Sequence, residues 1–330
     1  MSNLDNIFSQ DLMPEKTPLV SVLLCVFNAE DYLGEAIESI IQQTFIDFEF
    51  IILNDGSKDN SLKIIEEHAA KDSRIKVISR ENRGIVSSRN ELLIASRGHY
   101  VAVMDADDIA LPNRLQLQVQ YLDNHPEVLG LGGDYHVIDS KGRHLTTFSL
   151  PESNDEIQKM MLVGHTAILH PTSLFRRNAI RAIGDYDPDF ELVEDLDLWL
   201  RLSEKGQIAN LKKVVLKYRL HGNSISEKNG LKQRENGRRA CEAAWKRRGI
   251  SEKYKADSAW RPTSAKDSRH EFMLRYGWWA WNSCQRWTAF IYGLKAIRVK
   301  PFNDLSWKLF LSAGFKPLKS NSRLIDLGKS

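Results

Sequence analysis

Cysteine is scarce in this sequence. Cys25, Cys241 and Cys284 are scattered over 330 residues. They are odd in number and never paired as CxxC, which sets aside a disulfide framework and a zinc knuckle and fits a reducing cytoplasm. Long apolar runs are missing too. No stretch of 18 apolar residues occurs, so no segment reads as a membrane-spanning helix. The opening MSNLDNIFSQDLMPEKT lacks a basic start followed by an apolar run, so no secretory signal is expected. No GxGxxG follows the first apolar run, which disfavours a nicotinamide-dependent enzyme. Gly130-Leu131-Gly132-Gly133 is a fragment of that pattern in the wrong place. No internal repeat is visible, which removes solenoids.

What is present is globular. Hydrophobic residues make up 42% and charged residues 27% of the chain, which excludes collagen, low-complexity disorder and coiled coil. The length suits one large α/β domain with an appendage, or two small domains. Charge is divided between the two. Residues 229–330 hold 22 Lys and Arg against 8 Asp and Glu, a balance of +14. The preceding 228 residues hold 24 against 35, a balance of −11. Such asymmetry points to different partners for the two parts.

Residues 19–27 (LVSVLLCVF) are nearly continuously apolar and end at Asn28, the pattern of a strand buried on both faces. Residues 31–43 carry Leu33, Ile37, Ile40 and Ile41 at helical spacing. A strand over 48–53 then runs into Asn54-Asp55-Gly56-Ser57, a strong turn signal. Helices over 61–71 and 86–97, with strands over 75–78 and 100–104, continue the alternation. This predicts βαβ units and a parallel sheet, with ligands beyond the carboxyl ends of the strands. Further on, 111–125 and 194–206 read as helices, and 128–139, 165–176 and 214–220 as strands. The expected division is a disordered segment 1–17, an α/β domain 18–228 in two halves (18–125 and 126–228), and a helical region 229–330.

The loops at the expected strand ends carry the chemistry. Val103-Met104-Asp105-Ala106-Asp107-Asp108 places three carboxylates just past a buried strand. An oxygen-rich pair at i and i+2 suits a hard divalent ion, Mg²⁺ or Mn²⁺, that also draws oxygens from a phosphate. Asp55 can accept the N3–H of a uracil ring, and Phe27 offers an aromatic face to a base. Arg89 lies near a helix start, where cations and free amides suit a diphosphate. Taken singly, each has a structural explanation: a turn acid, a core-edge aromatic, a surface cation. His165 and His170, flanking an apolar strand, could line an acceptor cleft, but such histidines are more often satisfied within the core, and both are left out of the candidate set.

Together the strings VSVLLCVFNAEDYLGEAIESIIQQTF, FEFIILNDGSKDNS and ENRGIVSSRNELLIASRGHYVAVMDADDIALPNRL resemble the nucleotide-sugar half of the family 2 glycosyltransferases. The resemblance resumes at VEDLDLWLR (193–201) and YRLHGNS (218–224), and spans roughly two-thirds of the chain. It implies a GT-A fold, a Rossmann-like and mostly parallel sheet flanked by helices, and an inverting, metal-dependent transfer. The donor would be a nucleotide sugar, UDP-linked, and the acceptor a hydroxyl of a glycan or lipid-linked molecule, in the setting of surface-polysaccharide assembly. By the same resemblance, Phe27 and Asp55 would contact the base and Arg89 would lie near the diphosphate. Asp105 would approach the ribose or the metal, Asp107 would be the direct metal ligand, and His221 would lie near the metal or diphosphate. Asp195 would be the catalytic base and Glu194 would meet the acceptor. The chain departs from the family's common pattern at Cys25 and Phe27, where Pro and Tyr are frequent, and at Asn54, where a first Asp is frequent. Two rival readings are a nucleotidyltransferase and a non-catalytic binder of nucleotide sugars. The first wants a glycine-rich, basic loop after the first strand, and CVFNAEDY is neither.

The basic end is rich in tryptophan. Trp278, Trp279, Trp281, Trp287 and Trp307 interleave with Arg275, Arg286, Lys295, Arg298 and Lys300. That mixture favours the lipid headgroup zone, where each cation near an anionic surface contributes roughly 1 kcal/mol. One expectation is therefore peripheral contact with the anionic inner face of the cytoplasmic membrane through residues 229–330. The other is a helical subdomain whose tryptophans pack on the α/β domain. No nucleic-acid partner is expected, since no recognition motif occurs and the acidic part repels phosphate backbones.

Overall fold

The computed structural model describes residues 17–221, 230–256, 266–317 and 325–326. Residues 1–16 of the segment expected to be disordered lie outside the described residues, as does 222–229, where the expected boundary at 228 falls.

Strand β1 (Val20–Val26) is followed by helix α1 (Leu33–Ile41), β2 (Phe48–Asp55), α2 (Ser61–Ala69), β3 (Ile75–Arg80), α3 (Ile85–Ala95) and β4 (Tyr100–Asp105). All four strands run parallel, with β1 between β2 and β4. Alternation along β1 divides the interior. Val20, Val22, Leu24 and Val26 enter one core with Leu33, Ile37 and Ile40 of α1, while Leu23 enters a second core with Val86, Leu92 and Leu93 of α3. A sheet buried on both faces needs apolar residues at every position, hence the unbroken run in the sequence.

The chain continues through β5 (Ile109–Ala110), α4 (Arg114–Asn124), β6 (Val128–Asp139), β7 (His144–Ser149), α5 (Asn154–Leu162), β8 (Leu174–Arg176), α6 (Arg177–Ala182), α7 (Glu194–Leu202) and β9 (Gln207–Leu220). Strand β8 pairs antiparallel with β4 and β6, and β9 lies parallel to β6 and antiparallel to β5. The sheet remains mostly parallel around the site and mixed beyond it. The expected strand over 165–176 is corrected to three residues. A turn of 3-10 helix occupies His170–Thr172, since Pro171 offers no N–H to a ladder and the Leu169 carbonyl accepts from both the amide and the hydroxyl of Thr172. Strand β9 begins earlier than the expected 214, and its register shifts beside Gly133 and Asp134. The glycines of 130–133 lie inside β6 and not in a turn that opens a helix. A Cβ at Gly130 would lie 2.7 Å from the Phe175 ring and 3.1 Å from that of Trp199, so the missing side chain makes room for the aromatic pair of the second core.

Among the described residues four helices follow: α8 (Gly230–Arg248), α9 (Lys266–Asn282), α10 (Arg286–Val299) and α11 (Asp304–Phe315), with a short β10 (Ile325–Asp326) beside β7. Helix α8 is stitched to the α/β unit. Ala240, Cys241 and Ala244 enter its second core, Trp245 Nε1 donates to the Leu162 carbonyl at 2.8 Å, and Arg248 Nη2 donates to that of Leu200 at 2.9 Å. Helix α9 lies against β7 through Trp279, edge-on to Phe148 at 5.5 Å.

Candidate functional site

The site is built where β1, β2 and β4 end together. Cys25 of β1 pairs with Asp105, the last residue of β4, and with Leu53 of β2. Two of the loops are tied to each other. Asn28 takes a left-handed backbone (φ 50°), donates its N–H to Ser57 Oγ at 3.0 Å and accepts from the Lys58 N–H at 2.8 Å. Asparagine tolerates that conformation better than most residues. Phe27, just past the end of β1, is 50% exposed.

Asp55 ends β2 and is buried. One carboxylate oxygen accepts from Arg80 Nη1 and from the Arg83 N–H (2.8 Å), and the other accepts from the Gly84 N–H at 3.0 Å. Gly84 has φ +84°, a conformation that glycine adopts without penalty. Asp55 thus shapes the entrance to α3, and much of its hydrogen-bonding capacity is taken within the protein.

Past β4, the Asp107 carboxylate meets His221 Nε2 at 2.7 Å. Arg219 holds both segments. Its N–H donates to Asp108 Oδ1 (2.9 Å) and its Nε to the Asp107 carbonyl (2.8 Å). The guanidinium is paired with Glu35 and lies 4.6 Å from the Tyr32 ring centre. Asp107 and His221 together are an oxygen and nitrogen donor pair suited to a divalent ion. Among the described residues no group of three or more His, Cys, Asp and Glu side chains forms a ready-made cage. Mg²⁺ favours about six donors and retains ligand and water oxygens. These residues therefore fit an ion whose shell is completed by oxygens of a bound ligand.

The other wall comes from α7. Arg89 Nη1 lies 2.5 Å from Glu194 Oε1, and Nη2 lies 3.5 Å from Asp105 Oδ1. The cation expected near a diphosphate thus stands between two carboxylates, 5.6 Å from the Tyr186 ring centre. Burial pushes the Asp105 carboxyl up to about 6; Arg89 opposes the shift, and Asp107 and Asp195 add to it. Burial likewise raises Glu194 and Asp195, again against Arg89. Three carboxylates gather around one guanidinium here, beside a crevice lined by Cys25, Arg89, Leu92, Asp105 and Tyr186. Glu194 Oε2 is buried without a hydrogen-bond partner among the described residues. Burial pushes the Cys25 thiol up to about 12, so it lines the crevice as a neutral group.

Arg219, Tyr186 and Arg80 were absent from the residues singled out by sequence. Arg219 had a signal, two positions before His221 in the same motif. The other two, a buried tyrosine and a strand-end arginine, had none. His170 contacts the Tyr186 hydroxyl at 2.9 Å and is buried, which makes it a support for that ring, whereas His165 is exposed.

The comparisons with known proteins converge. A family model described as Glycosyl transferase family 2 matches residues 21–184. An uncharacterized glycosyltransferase of Haemophilus influenzae is 36% identical over 235 residues, covering 68% of this chain and 72% of that protein. The chondroitin synthase of Escherichia coli is 30% identical over 246 residues, 73% of this chain but only 34% of that one. Among solved structures, TarS of S. aureus in complex with UDP-GlcNAc has a TM-score of 0.51 at 16% identity, covering 89% of this chain and 79% of that one. The mannosyltransferase PcManGT from Pyrobaculum calidifontis, in complex with GDP-Man and Mn²⁺, has a TM-score of 0.52 at 15% identity, covering 91% and 81%. At those identities the likeness is one of fold.

Proposed function

The chain belongs to glycosyl transferase family 2, and from that premise we propose an inverting, metal-dependent transfer of a sugar from a UDP-linked donor to a hydroxyl of a glycan or lipid-linked acceptor. The observation that carries this reading is the Arg89 bridge, which joins Asp105 to Glu194 although the two lie far apart in sequence. It brings the acid that ends β4 beside the acids that open α7. A donor-side charge site and an acceptor-side base are what an in-line displacement requires.

The chemistry divides between the two walls. The donor's base stacks on Phe27, and its ribose lies by Asp105. Asp107, with His221 and Asp105 beside it, would hold Mn²⁺ or Mg²⁺, which supplies charge neutralisation for a departing diphosphate. On the other wall, Asp195 takes the acceptor's proton as its oxygen attacks the sugar carbon from the face opposite the leaving group. A hydroxyl is a weak acid, and burial makes Asp195 a stronger base than an exposed aspartate. Glu194 Oε2, buried without a hydrogen-bond partner among the described residues, would accept from a second acceptor hydroxyl. Relatives named as chondroitin and hyaluronan synthases support a glycan acceptor and surface-polysaccharide assembly. The basic region 229–330 favours work against the anionic inner face of a membrane, where a lipid-linked acceptor would be held.

A thermal-shift screen of nucleotide sugars with and without Mn²⁺ tests the class and the donor. The expected outcome is a metal-dependent rise in Tm with one donor family, and no rise with any nucleotide sugar contradicts it. Phe27→Ala is expected to weaken UDP binding by about 1–3 kcal/mol, the range for a lost base-stacking partner. Calorimetric titration reads this directly, and unchanged affinity would remove Phe27 from the base site.

A further inference from the structure

Large apolar side chains left in solvent gather at one end of the molecule. Of the eleven exposed large hydrophobic residues among the described ones, six lie in the last two helices and their connection: Trp287, Phe302, Leu305, Trp307, Leu311 and Phe315. Phe315 is 82% exposed and Trp287 75%. The inward face of α11 is made of Ser306, Leu309, Ser312 and Ala313. Its outward face carries Trp307, Leu311 and Phe315 at i, i+4 and i+8, one stripe along the helix. A helix against water normally turns polar residues outward, so this one is patterned as if both faces were covered. The stripe is continuous with α10, because Trp287 and Phe290 lie 5.9 Å apart, Phe290 and Phe310 4.6 Å, and Phe310 and Trp307 6.0 Å between ring centres. The Trp307 indole is fixed by its bond to the Pro301 carbonyl at 2.7 Å.

The surroundings select the occupant. Residues 286–317 hold six Lys and Arg against one Asp, and Lys308 and Lys316 stand exposed beside the stripe. A second copy of this face would bring two positive surfaces together, whereas an anionic bilayer offers opposite charge and an apolar zone at headgroup depth. The tryptophans also separate into two groups. Trp278, Trp279 and Trp281 of α9 pack against the first core, while Trp287 and Trp307 face outward.

We propose that the α10–α11 face bearing Trp287, Trp307, Leu311 and Phe315 seats the protein on the surface of an anionic lipid bilayer. This rests on the reading above that the basic region meets a membrane, and it assigns that contact to one face of two helices. Flotation of the full chain with vesicles, which requires no turnover, keeps its failure distinct from failure of the transferase reading. At low salt the chain is expected to float with vesicles of phosphatidylglycerol and phosphatidylcholine and not with phosphatidylcholine alone. The exposed triple change Trp307→Ser, Leu311→Ser, Phe315→Ser should lose at least tenfold in vesicle affinity with the circular dichroism spectrum and Tm retained. The pair Lys308→Glu, Lys316→Glu, which leaves every apolar contact in place, should weaken binding in the same direction. The proposal is overturned if the full chain does not float, or if both variants float like the parent. A dimer of the parent that the triple change dissolves would equally overturn it.

Discussion

Asp195→Asn is expected to lower turnover by ~10²–10⁴ while nucleotide-sugar affinity stays at the parent's level. Asparagine has nearly the same shape and keeps a carbonyl oxygen for the Leu196 N–H, which Asp195 accepts at 2.8 Å. The start of α7 should therefore be preserved. What is lost is the capacity to accept a proton. Glu194 is held at 2.5 Å as the partner of the Arg89 guanidinium, so its expected part is to position the acceptor and not to take its proton. The pH dependence offers a second reading of the same group. Burial raises the Asp195 carboxyl, and the base acts only when ionised, so activity falls as pH drops through a value above that of an ordinary aspartate. Nucleotide release in steady state, followed across pH, measures both effects. Near-normal turnover of the variant would remove Asp195 as the base.

Asp107→Ala is expected to abolish the Mn²⁺-dependent part of donor binding. The substitution deletes the carboxylate that faces His221 at 2.7 Å, and a lone imidazole is a poor substitute for hard-ion oxygen ligands. Arg219 should still hold the loop, since it donates to the Asp107 carbonyl, which alanine retains, and to Asp108. UDP titrations with and without Mn²⁺ should then coincide for the variant and differ for the parent. An undiminished metal effect would place the ion elsewhere.

Much of the sheet was legible in the sequence because parallel strands buried on both faces leave an unbroken apolar signature. That holds for β1, β2 and β4, and with them for the strand ends Asp55 and Asp105 and the loops that carry Phe27 and Asp107. The second half reads less clearly for identifiable reasons. Pro171 and a 3-10 turn interrupt the stretch expected to be one strand. Lys212 and Lys213 break the apolar pattern inside β9 and hid its first residues. Arg89 shows where motif reading stops. Spacing placed it at a helix start, but only the packing of α3 against the entry to α7 sets its guanidinium between Asp105 and Glu194. Tryptophan count, likewise, held no information on which rings turn inward.

In the proposed mechanism the Asp107 side of the crevice holds a cation that in turn grips the nucleotide's diphosphate, with Asp195 facing the acceptor. A crystal soaked with manganese and UDP tests it most directly. The predicted result is Mn²⁺ bound by Asp107 and by diphosphate oxygens, with uracil against Phe27. A metal and nucleotide bound away from Asp107 and Phe27 would contradict it.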